Sequence, residues 1–355
     1  MLDIKQLLNL VITKKASDLH LVVGVPPTLR IDGVLLPVAG ESTLSQERMT
    51  ELVGGVMTQE QKEVLTVNKE IDFSLSLTGE GRFRVNVYHQ AGTLAAAFRL
   101  IPIIIPSLDS LTLPRICHTF ATLRQGFVLV TGPTGHGKST TLASIIEEIN
   151  LTRAEHIVTV EDPIEFMFTP KRSIISQREM HGDTHSWEIA LRSVLREDPN
   201  VVLVGEMRDF ETIAAALTVA ETGHLVFATL HTNSAAQSID RIVDVFPEHQ
   251  QDQIRMQLSS TIEAVFSQRL IPGLAGGRVV AYEVMVGTPA IKTAIREGKT
   301  HMIDNIIQTS GELGMFTIET ILASHVREGK LAMEQAMAYA IRPEELTRLL
   351  QGRKT

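Results

Sequence analysis

The feature that most constrains the fold is an apolar run, Gly126-Phe-Val-Leu-Val-Thr131, ending in Gly132-Pro-Thr-Gly-His-Gly-Lys-Ser139. A helical stretch from Thr140 to Glu148 follows it. The pattern is G-x-x-x-x-G-K-[ST] between a strand (Phe127 to Val130) and a helix, the context a phosphate-binding loop requires. Its glycines let main-chain N–H groups turn inward around phosphate oxygens at the positive end of the helix. Lys138 is then expected to reach the β- and γ-phosphates, and Ser139 to ligate Mg²⁺. Gly132, Pro133, Thr134, Gly135, His136, Gly137, Lys138, Ser139 and Thr140 form a candidate nucleotide site, with ATP and Mg²⁺ as expected ligands. His136 stands at a free position of the motif and is expected to be an exposed loop side chain.

Such a loop serves proteins that phosphorylate, switch or move something, and the neighbouring strands narrow the choice. GFVLVTG, HIVTVED, VVLVGE and HLVFATLH are short, β-branched and continuously apolar. Runs of this kind are buried on both faces, as in a parallel sheet. Helical patterns lie between them, most clearly THSWEIALRSVLRE, where Trp187, Ala190, Leu191, Val194 and Leu195 share one face. Strand alternating with helix implies an α/β domain.

Polar residues at the carboxyl ends of these strands carry the chemistry. VVLVGE ends in Glu206, and Gly205 stands where many such proteins have a metal-binding Asp. Glu206 is the candidate base for orienting and deprotonating an attacking water. VTVEDPIEF brings Glu161, Asp162 and Glu165 to another strand end. Two readings stay open for these three, positioning of metal and water or a solvated acidic loop, and Glu161 is the second candidate base. His231 follows HLVFATL at a strand end where ligands gather, a candidate donor to a γ-phosphate, whereas His224 at the opposite end is structural.

Before residue 100 the texture differs. Leu2, Ile4, Leu7, Leu8, Val11 and Ile12 recur at helical spacing, which predicts an amphipathic helix ending before Ser17. DLHLVV, PTLRIDGVLLPV, IDFSLSL, RFRVNVYHQ and TLAAAFRLI predict an antiparallel sheet, with turns at Asp32-Gly33 and TGEG, in a small α+β domain. In GRFRVNV, Arg82 and Arg84 share one face of a strand, and Arg99 ends the next strand. The proline-spaced segment with Pro102, Pro106 and Pro114 predicts an extended linker. The expected boundaries are 1–100, a linker over 101–115 and an ATPase domain over 116–355, mainly helical from about 248.

The bulk numbers exclude several classes. The 33 basic and 41 acidic residues give a net charge of −8, which speaks against a protein that coats nucleic acid. One cysteine, Cys117, cannot form an internal disulfide or a cysteine zinc cage; it is expected to be a buried thiol in a reducing cytoplasm. The start lacks a secretory pattern and no run is long enough to span a bilayer.

SDLHL, RFRVNV, GPTGHGKSTT, VTVEDPIEF, QRE, LRSVLREDPNVVLVGEMRDFET, ALTVAETGHLVFATLHTNSA and IDRIVDVFP follow one another in the order of the secretion ATPases. Over nearly the whole chain the sequence is very similar to the type IV pilus retraction ATPases. The resemblance implies a PAS-like N-terminal domain, a RecA-like ATPase domain and a ring of six identical subunits. It implies ATP hydrolysis that drives pilin depolymerisation and twitching motility, in the cytoplasm, peripheral at the inner-membrane pilus base. The implied partners are an inner-membrane platform protein and a paralogous retraction ATPase, without nucleic acid. Glu161 through Glu165, Glu206 and Gly223 through His231 match the family's acidic, Walker B and histidine boxes, and the resemblance implies that its γ-phosphate arginines are among Arg82, Arg84 and Arg99 of the N-terminal domain. The chain lacks the tetracysteine site of the assembly ATPases, and AIKTAIRE (Ala290 to Glu297) stands where retraction ATPases carry AIRNLIRE. An accessory or extension ATPase is the alternative within the superfamily; a RecA-like nucleic-acid translocase, a small-molecule kinase and a non-hydrolysing assembly factor are the alternatives outside it.

Overall fold

The structure, a computed structural model, describes residues 2–31, 33–77, 81–101 and 104–352. Asp32 of one expected turn, residues 78–80 of the other and Pro102 of the expected linker lie outside the described residues. The chain forms two compact units, Met1–Ile104 with Glu165–Met167, and Ile105–Ile164 with Phe168–Thr355.

In the first unit, helix α1 (Ile4–Thr13) opens on a capping box in which Asp3 accepts from the Gln6 N–H and the Gln6 side chain returns to Asp3. Its Ile4, Leu7, Leu8 and Val11 are buried, as helical spacing predicts. The sheet comprises β1 (Asp18–Val22), β2 (Thr28–Ile31), β3 (Val34–Pro37), β4 (Glu70–Leu77), β5 (Gly81–Gln90) and β6 (Thr93–Ile101) in the order β3-β2-β1-β6-β5-β4, antiparallel throughout. Between β3 and β4 the chain forms two helices that strand-like patterning does not suggest, α2 (Gln46–Gly54) and α3 (Gln59–Asn68). Helix α2 buries Met49, Leu52 and Val53 at helical spacing behind an N-cap at Ser45, which accepts from the Arg48 N–H, whereas the signal for α3 is the capping box of Thr58 with Gln61. Along β5, Phe83, Val85 and Val87 are buried, which turns Arg82 and Arg84 to the other face. Arg84 lies directly across from Arg99 on β6, and Arg99 Nε donates to Asp18 Oδ1 at 2.8 Å.

The second unit begins with α4 (Ile116–Thr122), on which Cys117 is fully buried. Burial and the nearby Glu148 push its thiol up to about 12, so it stays protonated and inert. The seven-stranded sheet has the order β13-β12-β7-β11-β10-β8-β9. Its parallel strands are β7 (Gly126–Thr131), β8 (His156–Glu161), β9 (Ile174–Glu179), β10 (Val201–Val204), β11 (Leu225–Leu230) and β12 (Ile262–Pro272). Strand β13 (Arg278–Val286) pairs antiparallel at the edge. Every residue of β7, β10 and β11 is buried, the expectation for continuous apolar runs covered by helices on both faces. The helices are α5 (Lys138–Thr152), α6 (Trp187–Val194), α7 (Phe210–Glu221), α8 (Ala235–Asp244) and α9 (Glu248–Thr261), followed by α10 (Pro289–Arg296), α11 (Ile303–Thr309), α12 (Ile318–Arg327), α13 (Met333–Tyr339) and α14 (Pro343–Gln351). On α6, Ala190, Leu191 and Val194 are buried, but Leu195 follows the last helical residue and is exposed.

Two strands, β12 and β13, stand inside the stretch expected to be mainly helical from about residue 248. Arg269 and Glu283 interrupt their apolar runs, so a buried strand pair does not look like one in sequence; Arg269 Nη1 donates to the Tyr339 carbonyl at 2.5 Å, while its buried Nε has no hydrogen-bond partner among the described residues. Glu283 accepts from the Ala235 N–H at 2.8 Å and meets Arg342 at 3.3 Å. Arg342 also pairs with Asp304 at 2.5 Å, Glu319 at 3.0 Å and Glu345 at 3.0 Å, tying α11, α12 and α14 to β13. Burial pushes the Glu283 carboxyl up to about 7 against the pull of the Ala235 N–H and Arg342.

Candidate active site

The strand order brings the polar strand ends together. From β12 outward the neighbours are β7, β11, β10 and β8, so the phosphate loop, His231, Glu206 and Glu161 lie side by side at carboxyl ends of a parallel sheet. This is where ligands bind in open α/β sheets.

The loop is shaped by glycine. Gly132, Gly135 and Gly137 have φ of 140°, 80° and 84°, a region side chains other than glycine enter at a cost. A Cβ on Gly132 would stand 2.2 Å from the Gln268 carbonyl, because the loop lies against β12. Thr131 and Ser267 exchange a buried hydroxyl bond of 2.7 Å at the same junction. The Gln268 amide donates to the His136 carbonyl at 2.7 Å and accepts from the Thr141 hydroxyl at 2.7 Å.

Lys138 begins α5 and is buried, with Nζ donating to the Gly132 and Pro133 carbonyls at 2.8 and 3.1 Å. It also lies 3.3 Å from His231 Nδ1. His231 Nε2 is 2.5 Å from Glu206 Oε1, and Arg208 Nη2 is 2.7 Å from Glu206 Oε2. One line of polar contacts therefore runs Lys138, His231, Glu206, Arg208, with the Thr134 hydroxyl 3.4 Å from His231 Nδ1. Burial works to raise the Glu206 carboxyl, but the hydrogen bonds from Arg208 and His231 and the Arg208 charge outweigh it and hold Glu206 below its ordinary range. Glu206 is thus a carboxylate at neutral pH with both oxygens held.

Gly205 has a steric reason to be glycine. Its Cβ would meet Glu161 Cα at 3.2 Å and the Val160 carbonyl at 3.3 Å. Its N–H donates to Val160 at 2.8 Å and its carbonyl accepts from the Thr229 hydroxyl at 2.5 Å. An Asp there has no room. Glu161 is buried and takes the Thr159 hydroxyl at 2.6 Å, whereas Asp162 and Glu165 are exposed and Glu165 belongs to the first unit. Among the described residues no group of three or more His, Cys, Asp and Glu side chains is gathered to hold a metal ion. Ser139, expected to ligate Mg²⁺, fits that part, since its half-buried hydroxyl has no hydrogen-bond partner among the described residues.

His136 corrects an expectation. It is not a free loop side chain: its Nδ1 accepts the Leu270 N–H at 2.9 Å. His224 is structural as expected, with Nδ1 against the Val219 carbonyl and the Thr222 hydroxyl at the end of α7. Arg208 and Gln268 are the site residues that sequence patterning misses. A signal for Arg208 existed, since a cation two residues after a strand-end carboxylate can fold back onto it. None existed for Gln268, which lies about 130 residues from its partners.

The family model described as Type II/IV secretion system protein matches residues 2–276. The chain is 46% identical over 343 residues to the type IV pilus retraction ATPase PilT of Pseudomonas aeruginosa, covering 97% of this chain and 99% of that protein. It is 38% identical over 351 residues to the type IV pilus ATPase PilU of the same organism, covering 99% and 92% respectively. A crystal structure of the pilus retraction motor PilT with bound ADP matches with a TM-score of 0.92 at 44% identity, over 98% of this chain and 100% of that one.

Proposed function

The chain belongs to the type II/IV secretion system protein family, and from that premise we propose that it is the ATPase that drives type IV pilus retraction and twitching motility. The observation that carries the reading is the contact line from Lys138 through His231 and Glu206 to Arg208, beside a complete phosphate loop. The near full-length likeness to PilT supports the load that the motor acts on. The greater identity to PilT than to PilU supports the motor over the accessory paralogue.

The loop amides and Lys138 bind the phosphates of ATP, and Ser139 would hold Mg²⁺, which would supply neutralisation of phosphate charge. Glu206 enters the cycle ionised. When one of its oxygens leaves Arg208 or His231, it takes up the attacking water and accepts its proton. His231, placed between Lys138 and Glu206, orients that carboxylate and donates toward the γ-phosphate. Glu161 positions water from the neighbouring strand end. Arg82, Arg84 and Arg99 stabilise charge on the transferring phosphoryl group.

Six copies form the working ring, which acts from the cytoplasm on an inner-membrane platform protein at the pilus base, together with a paralogous retraction ATPase and without nucleic acid. No described helix is long and apolar enough to cross a membrane. Deleting the gene in its host and imaging the pili tests the proposal: hyperpiliated, non-retracting cells support it, and bald cells assign the chain to extension instead.

A further inference from the structure

His136 occupies a variable position of the loop, and its side chain reaches β12. Nδ1 accepts the Leu270 N–H of β12 at 2.9 Å, and the His136 carbonyl accepts from Gln268 Nε2 of the same strand at 2.7 Å. Gln268 is 2% exposed and closes the link by accepting from the Thr141 hydroxyl on α5. The crest of the phosphate loop is therefore bolted to β12 on both sides of one residue. The loop binds phosphate through the direction of its N–H groups, and that direction is set by where the crest is held.

We propose that His136 is a positioning residue of the phosphate loop, acting through its neutral, Nε2-protonated ring to hold the loop amides in their nucleotide-binding arrangement. The inference rests on the nucleotide reading above. The tautomer follows from the partner: a main-chain N–H can only donate, so Nδ1 must carry a lone pair. Protonating the ring would set two donors face to face and release the crest. The charged groups facing the ring are cationic: Arg269 from β12, Lys138 from α5 and Arg278 from β13. Burial first, and then these three charges, lower the His136 pKa from its ordinary value, so the anchor is intact at neutral pH and opens only in acid.

The test is ADP affinity measured between pH 5 and pH 8 for the full chain, His136→Ala, His136→Asn and Lys138→Ala, with thermal unfolding of each. One hydrogen bond of this kind changes an equilibrium by about fivefold. His136→Ala is expected to weaken ADP by up to about fivefold at pH 7.5, with the unfolding temperature lowered by no more than about 2–4 °C, which one lost hydrogen bond accounts for. His136→Asn, whose side-chain carbonyl can take the Leu270 N–H but cannot titrate, is expected to restore most of that loss. The ratio of wild-type to His136→Asn affinity, in which titration of the nucleotide cancels, is expected to fall as the pH drops toward 5. A His136→Ala chain that binds ADP like wild type, or a ratio independent of pH, overturns the inference. If Lys138→Ala also binds ADP like wild type, the nucleotide site itself is misassigned; if Lys138→Ala fails to bind while His136→Ala binds normally, only the role of His136 falls.

Discussion

Replacing Gly205 by alanine perturbs the contact between the two strand ends that carry Glu161 and Glu206. The added Cβ would lie 3.2 Å from Glu161 Cα and 3.3 Å from the Val160 carbonyl, both parts of the backbone that cannot rotate away. The residue is pinned on both sides, through its N–H to Val160 and its carbonyl to Thr229, so the strands part by a few tenths of an ångström or lose those bonds. Overpacking of this size costs about 1–3 kcal/mol, offset by about 0.4–1 kcal/mol from the stiffer unfolded chain. The net loss of about 1 kcal/mol lowers the unfolding temperature of the second unit by about 2–4 °C. Catalysis suffers more than stability, because a 1 Å misplacement of a reacting group costs about a hundredfold. A shift of a few tenths of an ångström at Glu206 predicts a three- to tenfold fall in kcat at saturating ATP, by roughly proportional scaling. The KM for ATP should stay within about twofold, since the loop is seated on β7 and β12 rather than on β8. Steady-state hydrolysis assays read both numbers. Unchanged kcat, or a rise in KM exceeding the loss in kcat, would refute the placement of Glu206 in the chemical step.

Other perturbations separate the remaining roles. Arg84→Ala should slow ATP hydrolysis at least tenfold while leaving the unfolding temperature within about 2 °C, because its contact with Asp72 is long and exposed; a normal rate would remove it from the reaction. Glu283 binds its proton more tightly in the folded chain, up to about 7 against an ordinary 4.5, so its contribution to stability is full below pH 4.5 and is lost as the pH rises through about 7. Glu283→Gln should therefore flatten the fall of unfolding temperature between pH 5 and pH 8, a slope worth up to about 3 kcal/mol in the wild type; an unchanged slope would place the titration elsewhere. Lys292→Ala removes the 3.0 Å ion pair from α10 to Glu263 at the start of β12. It should cost about 0.5–1 kcal/mol and leave ATP turnover intact, while twitching falls if AIKTAIRE transmits force; normal twitching would free the motif from that role.

What was legible in the sequence depended on how local the causes were. The loop, β7 and α5 are contiguous, so spacing alone located them. The parallel strands announced themselves because burial on both faces leaves no polar position. Glu206 and His231 were found as strand-end residues, but their contact was not, since it depends on β10 and β11 being neighbours. The hairpin of β12 and β13 was hidden because Arg269 and Glu283 sit in it, and their compensation comes from partners far along the chain. The same distance concealed Gln268 and made His136 look incidental. Helix α3 was missed for another reason: it buries only Leu65, so its apolar periodicity is faint, whereas α2 carries a legible stripe in Met49, Leu52 and Val53.

The central claim is that this chain hydrolyses ATP with Glu206 as the base. The most direct measurement pairs steady-state turnover with ATP affinity in Glu206→Gln, which keeps the side chain's size and removes its charge. Turnover should fall by at least about a hundredfold while ATP stays bound as tightly as in the wild type. Turnover within a few fold of wild type would contradict the account and move the base to another strand end.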